Sequence, residues 1–125
     1  MGRRKNEVKI EDGIIYYTQA GDQNKRKAKN TVAVMRFLAG GMSEVKILAD
    51  YTNSGEMDDA AIQTGYFALE VLPLDRLAII GASPAMKELI ATMAQAAGKS
   101  DVIHFASSRE AAIVWLKKSS KSDES

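Results

Sequence analysis

The chain has 125 residues, 46% hydrophobic and 26% charged, with seventeen basic against sixteen acidic side chains. That length predicts a single domain with one continuous core and no second enzyme-sized lobe, while the near-neutral balance excludes wholesale attraction to nucleic acid or an anionic membrane. Cysteine is absent, so disulfides and thiolate metal sites are excluded and, with no other metal motif in the sequence, neither a metal nor a cofactor is expected.

The first element is a hairpin. Val8, Ile10, Ile14 and Tyr16 alternate with more polar neighbours around Asp12-Gly13, a strong signal for a tight turn between two strands. From Asp22 to Ala39 the period becomes helical, with Ala28, Val32, Met35 and Ala39 on one face and Gly40-Gly41 after the last turn. Val45, Ile47 and Leu48 predict a short strand, Asp50-Tyr51-Thr52-Asn53-Ser54-Gly55 a loop, and Glu56 to Leu72 a second helix closed by Pro73. Leu77-Ala78-Ile79-Ile80 is a continuous apolar run suited to a strand buried on both faces. Ser83 as N-cap with Pro84 in the first helical position opens a third helix that ends at Gly98. Val102-Ile103-His104-Phe105 reads as the last strand, and Ser107 with Glu110 as a capping box opening the helix of Ala111, Ala112, Trp115 and Leu116. One domain over 7–118 is expected, with flexible termini at 1–6 and 119–125. Every apolar run falls far short of the roughly 20 residues that span a bilayer, and the N-terminus has no signal-peptide core. A cytoplasmic location without membrane insertion is therefore expected.

Three strings carry a resemblance. Lys46-Ile47-Leu48-Ala49-Asp50, then Asp75-Arg76-Leu77-Ala78-Ile79-Ile80-Gly81, then Phe105 with Glu110-Ala111-Ala112-Ile113-Val114-Trp115-Leu116 together resemble SpoIIAA-like proteins, a family grouped with STAS and Sec14-type lipid-binding folds. The likeness runs from the first hairpin to Leu116. It implies an α/β domain: a mixed, mostly parallel five-stranded sheet with an N-terminal β-hairpin, flanked by about four helices. It also implies a non-catalytic role, in which STAS relatives bind protein partners and are switched by phosphorylation. The switched serine of anti-sigma-factor antagonists lies in an Asp-Ser-Ser-Gly motif at a helix start. The nearest string here is Asn53-Ser54-Gly55, to which such a switch would map at Ser54.

In an open parallel sheet, ligands and partners meet the loops beyond the carboxyl ends of the strands. Asp50, Tyr51, Thr52 and Ser54 are thus the polar candidates of the first such loop, and Gly81 and Ser83, with backbone donors at a helix start, those of the second. Turn and cap chemistry accounts for the same residues without a ligand. His104, the single histidine, reads as tucked into its strand; an enzyme acting through His104 or Asp50 is the alternative, and the sequence marks no partner for it. Gly98-Lys99-Ser100 imitates the end of a phosphate loop but follows a helix instead of opening one.

The helix Glu56 to Leu72 has a narrow polar face of Asp59, Gln63 and Glu70, and Phe67 lies nearly opposite its main apolar stripe. Something should cover Phe67: the helix Asp22 to Ala39, a second copy in a homodimer, or a ligand. The run Lys25-Arg26-Lys27-Ala28-Lys29, lacking interleaved aromatics, reads as a solvated face and not as a nucleic-acid site. Binding of a protein partner, or of a small lipid, metabolite or other apolar or anionic ligand, is the expected activity, with no catalytic residue.

Overall fold

Asp12 and Gly13 both take positive φ, 54° and 75°, as a two-residue hairpin of matching twist demands. They fold β1 (Glu7–Glu11) back on β2 (Ile14–Gln23). The computed structural model describes residues 5–118. After the hairpin come α1 (Lys25–Ala39), β3 (Lys46–Met57), α2 (Asp59–Val71), β4 (Arg76–Ile80), α3 (Pro84–Ala97), β5 (Ile103–Phe105) and α4 (Arg109–Lys117). The strands lie in sequence order β1-β2-β3-β4-β5. The first pair is antiparallel and the other three are parallel. This is the mixed, mostly parallel five-stranded α/β sheet with four helices that the sequence predicts.

Strand alternation divides the apolar residues between two faces. Ile15, Tyr17, Ile47, Ala49, Leu77 and Ile79 meet α1, α2 and α3. Ile14, Tyr16, Leu48, Ala78 and Ile80 meet Ala112 and Leu116 of α4. Every residue of β4 is buried, which explains its unbroken apolar run. Ser83 accepts a hydrogen bond from the Met86 amide, Pro84 follows in the first turn, and Gly98 ends α3 in the left-handed conformation at φ 72°; all three were legible as caps.

Four boundaries differ from the sequence expectation. Asp50 to Gly55 is not a loop, because β3 runs on to Met57. It stays paired with β2 as far as Gln23↔Met57, through two register shifts, whereas its pairing with β4 ends at Asp50↔Ile80. The ends of β2 and β3 therefore form a two-stranded arm beyond the rest of the sheet. Gly55 permits it, since a Cβ there would lie 2.2 Å from Asp22 Oδ1. Asp22 is consequently in β2 and not in a helix, and its carboxylate accepts the Glu56 amide at 2.8 Å. Helix α1 starts at Lys25 behind the N-cap Asn24, and α2 at Asp59 behind the N-cap Asp58. Finally, Ser108 and not Ser107 caps α4, accepting from the Ala111 amide at 3.1 Å.

The expected flexible ends lie outside the described residues, apart from positions 5 and 6. Asn6 donates to Gln23 Oε1 at 2.9 Å and to Thr31 Oγ1 at 3.0 Å, and its own carbonyl oxygen accepts the Ala20 amide at 3.0 Å.

Candidate functional site: a cavity closed by the β2–β3 arm

Successive side chains of β3 point to opposite faces, so the predicted loop residues part company. Tyr51 faces the helices α1 to α3 and lines a cavity of about 100 Å³ between them and the sheet. Asp50 faces the α4 side. Its Oδ1 accepts the Thr52 amide at 2.9 Å, and its Oδ2 lies 4.0 Å from Arg109 Nη1. The Arg109 guanidinium also stands 5.3 Å from the centre of the Tyr16 ring.

The wall of the cavity is mostly apolar: Ile47, Leu69, Ile79 and Ile90 contribute, along with Met35, Met57, Met86 and Met93. Unbranched thioethers reshape at little energetic cost, so this is an adaptable surface. At one end Tyr17, Gln19, Gln23, Thr31 and Tyr51 supply polar groups. The Tyr17 hydroxyl donates to Gln19 Oε1, and Gln19 Nε2 donates to Ser54 Oγ at 2.6 Å. Gln23 Nε2 donates to the carbonyls of Ala20 and Gly21. The Tyr51 ring meets Tyr17 edge to face, centroids 6.1 Å apart. Among the described residues nothing is hydrogen-bonded to the Tyr51 hydroxyl. Burial pushes its pKa up to about 12, and burial followed by the neighbouring Tyr51 pushes Tyr17 higher still. Both phenols are neutral at physiological pH, and no charged side chain lines the cavity.

The other predicted site residues have different surroundings. The Asp50, Gly81 and Ala106 corners lie at one end of the sheet, joined by the Asp50↔Ile80 pairing and by the Ala106 amide donating to Ile79 O at 2.8 Å. Gly81, at φ 73°, lets the chain pass so close to Thr52 that a Cβ would stand 2.6 Å from its backbone nitrogen. Ser83 is occupied as the α3 cap. Ser54 is in the paired arm, half-buried, ahead of the α2 cap Asp58, whose carboxylate takes the Ala61 amide at 2.8 Å; it is not at a helix start. Phe67 is 48% exposed and belongs to a groove between α1 and α2, so the expected cover over it is incomplete. His104 is exposed and not tucked, stacked 4.9 Å from the centre of Trp115. Arg76 lies over the same indole at 4.8 Å and donates to Trp115 O at 3.1 Å.

The sequence reading missed Tyr17, Gln19 and Gln23. Their signal was available, since Tyr17 and Gln19 share the core-facing side of β2 with Ile15, and a polar residue there must find partners inside. Among the described residues no group of three or more His, Asp or Glu is placed to hold a metal ion, and no helix is long and apolar enough to cross a membrane.

No protein-family model matches the sequence, and no curated protein matches it. Solved structures do. A protein of the DUF3478 family from Shewanella loihica PV-4, described as having a SpoIIAA-like fold, superposes with a TM-score of 0.66 at 14% identity, covering 93% of this chain and 98% of that one. This chain has the SpoIIAA-like fold. The anti-sigma factor antagonist SpoIIAA in its unphosphorylated form gives a TM-score of 0.65 at 12% identity, covering 91% of this chain and 99% of that one. The Bacillus cell fate determinant SpoIIAA in its phosphorylated form gives 0.64 at 14%, covering 90% and 99%. In this SpoIIAA-like domain the β2–β3 arm closes one end of the cavity, with Tyr51, Gln19 and Ser54 on it.

Proposed function

We propose that this SpoIIAA-like domain is a non-catalytic binding and regulatory module whose ligand is a small neutral molecule with an apolar body and one hydrogen-bonding group. The observation that carries the reading is the Tyr51 hydroxyl, which lines an apolar cavity and lacks a hydrogen-bond partner among the described residues. Among the described residues no buried side-chain polar atom lacks a partner, and Tyr51 is half-buried, so its hydroxyl is open to a ligand oxygen, a hydrogen bond worth about 1 kcal/mol. The cavity offers an anion no cation, so it supports the apolar ligand expected from the sequence and not the anionic one. Its size, about 100 Å³, is about two-thirds of a cavity that holds benzene, roughly 150 Å³. A compact molecule of about five heavy atoms fits without rearrangement, and movement of the methionines admits more.

Titration with 1-butanol and with butane, followed by amide NMR, tests the reading. Saturable shifts confined to residues around Tyr17, Tyr51 and Met86 are expected, with the alcohol favoured. In Tyr51→Phe that preference for the alcohol should shrink by about fivefold, the worth of one hydrogen bond. Absence of saturable binding by either compound, or an undiminished preference in Tyr51→Phe, would reject the ligand site.

A further inference from the structure

Helix α1 contains Lys25, Arg26, Lys27, Lys29 and Arg36 and no acidic residue, in a chain whose net charge is only +1. Lys27 has an internal task, its ammonium donating to the carbonyls of Ala20 and Asp22. Lys25, Lys29 and Arg36 form no ion pair among the described residues. Lys25 and Lys29 also stand in the opening turns of the helix, where positive charge opposes the macrodipole. These three cations flank the groove between α1 and α2, about 400 Å³ in volume, with Ala33, Ala60 and Phe67 among its apolar lining and no carboxylate. Phe37, 83% exposed, stands one helical turn beyond Ala33 and continues the apolar surface past the groove.

We infer that this groove receives an acidic amphipathic helix of a partner protein. The inference deepens the binding-module reading by naming a partner surface, and it stands whether or not the cavity holds a ligand. Helices of fifteen and thirteen residues together line the groove, and the shorter one is roughly 20 Å long at 1.5 Å per residue. Three to four turns of a helix fill such a length, its apolar stripe against Phe67 and Ala60 and its carboxylates towards the lysines. A second copy of this chain suits the site poorly, because a twofold contact through the groove would set Lys25, Lys29 and Arg36 against their own counterparts.

The probe is a synthetic, fluorescein-labelled peptide of about 16 residues with leucines at helical spacing and glutamates on both flanks. Its controls are a scrambled peptide of the same composition and a lysine-for-glutamate peptide. Expected are saturable anisotropy with the first peptide alone, NMR shifts at Lys29, Ala33, Ala60 and Phe67, and at least about tenfold weaker binding to a Lys25→Glu, Lys29→Glu, Arg36→Glu variant. These side chains are exposed, and circular dichroism checks that the variant is folded. Should it not fold, a salt titration of the wild type reads the same claim, with severalfold weakening expected between about 50 and 300 mM. Equal binding of the scrambled peptide, undiminished binding to a folded triple variant, or salt-independent affinity would overturn the proposal. So would sedimentation with phosphatidylserine vesicles in place of peptide binding, or a dimer that the triple substitution abolishes. Butanol shifts around Tyr51 report separately on the cavity, so each reading fails by its own measurement.

Discussion

At the scale of single residues, two glycines separate backbone strain from steric contact. Gly81 and Gly98 have nearly the same positive φ, 73° and 72°, but a Cβ on Gly81 would stand 2.2 Å from Thr52 Oγ1, whereas nothing lies within 4 Å of one on Gly98. Gly98→Ala should therefore cost only the left-handed penalty, about 1–2 kcal/mol. Gly81→Ala adds a collision with the Thr52 backbone and should exceed about 3 kcal/mol in denaturant unfolding. Equal losses would show that the Thr52 contact is not tight. Tyr51 makes a pH prediction. Its folded pKa of about 12 lies above the ordinary tyrosine value of 10.0, so the folded state holds the proton more tightly. The stability this brings is complete below pH about 10 and disappears as pH rises through about 12. Thermal melts of wild type should fall across that window, and those of Tyr51→Phe should fall less steeply.

At the scale of elements, the arm is where sequence and structure diverge most. Beyond Asp50, β3 has β2 on one side and no β4 on the other, so its ladder should open more easily than that of residues 46–50. Hydrogen exchange should show faster amides from Thr52 to Met57 than from Ile47 to Ala49. Gln19→Leu should accelerate them further, because Gln19 accepts from Tyr17 and donates to Ser54; unchanged exchange would mean that backbone pairing alone holds the arm. The same physics explains what was legible. The hairpin, β4 and the caps of α3 depend on local signals: Asp12-Gly13, an unbroken apolar run, and Ser83-Pro84 with Gly98. The arm does not, since Thr52, Asn53, Ser54 and Gly55 favour turns locally, and only the partner strand, together with the close fit of Gly55 to Asp22, keeps them extended. The Asp50, Gly81 and Ala106 corners lie at one sheet end, as the succession of strands and crossover helices implies. The cavity depends on Tyr17 and Gln19, whose inward direction follows from alternation with Ile15 once β2 is carried past Tyr16.

Across the whole molecule, the two faces of the sheet are unequally protected. Three helices cover one face, and α4 covers the other through Ala112 and Leu116. Leu116 is fully buried there among Ile14, Tyr16, Leu48, Ala78 and Ile80, whereas Val114, two residues earlier on the same helix, is 63% exposed. Truncating Leu116 leaves a void that the rigid sheet cannot fill, so Leu116→Ala should cost about 2–5 kcal/mol. Val114→Ala should change stability by no more than about 0.5 kcal/mol. The two faces share β2, β3 and β4, alternate residues of each strand serving one face or the other. Loss of α4 contacts should therefore lower a single unfolding transition and not create a second one. Fluorescence of Trp115, which reports α4, and far-ultraviolet circular dichroism, which reports the whole sheet and all helices, should give coincident denaturation curves for Leu116→Ala. Separation of the two curves would show α4 detaching while the three-helix face stays folded, and would identify the α4 layer as an independent unit.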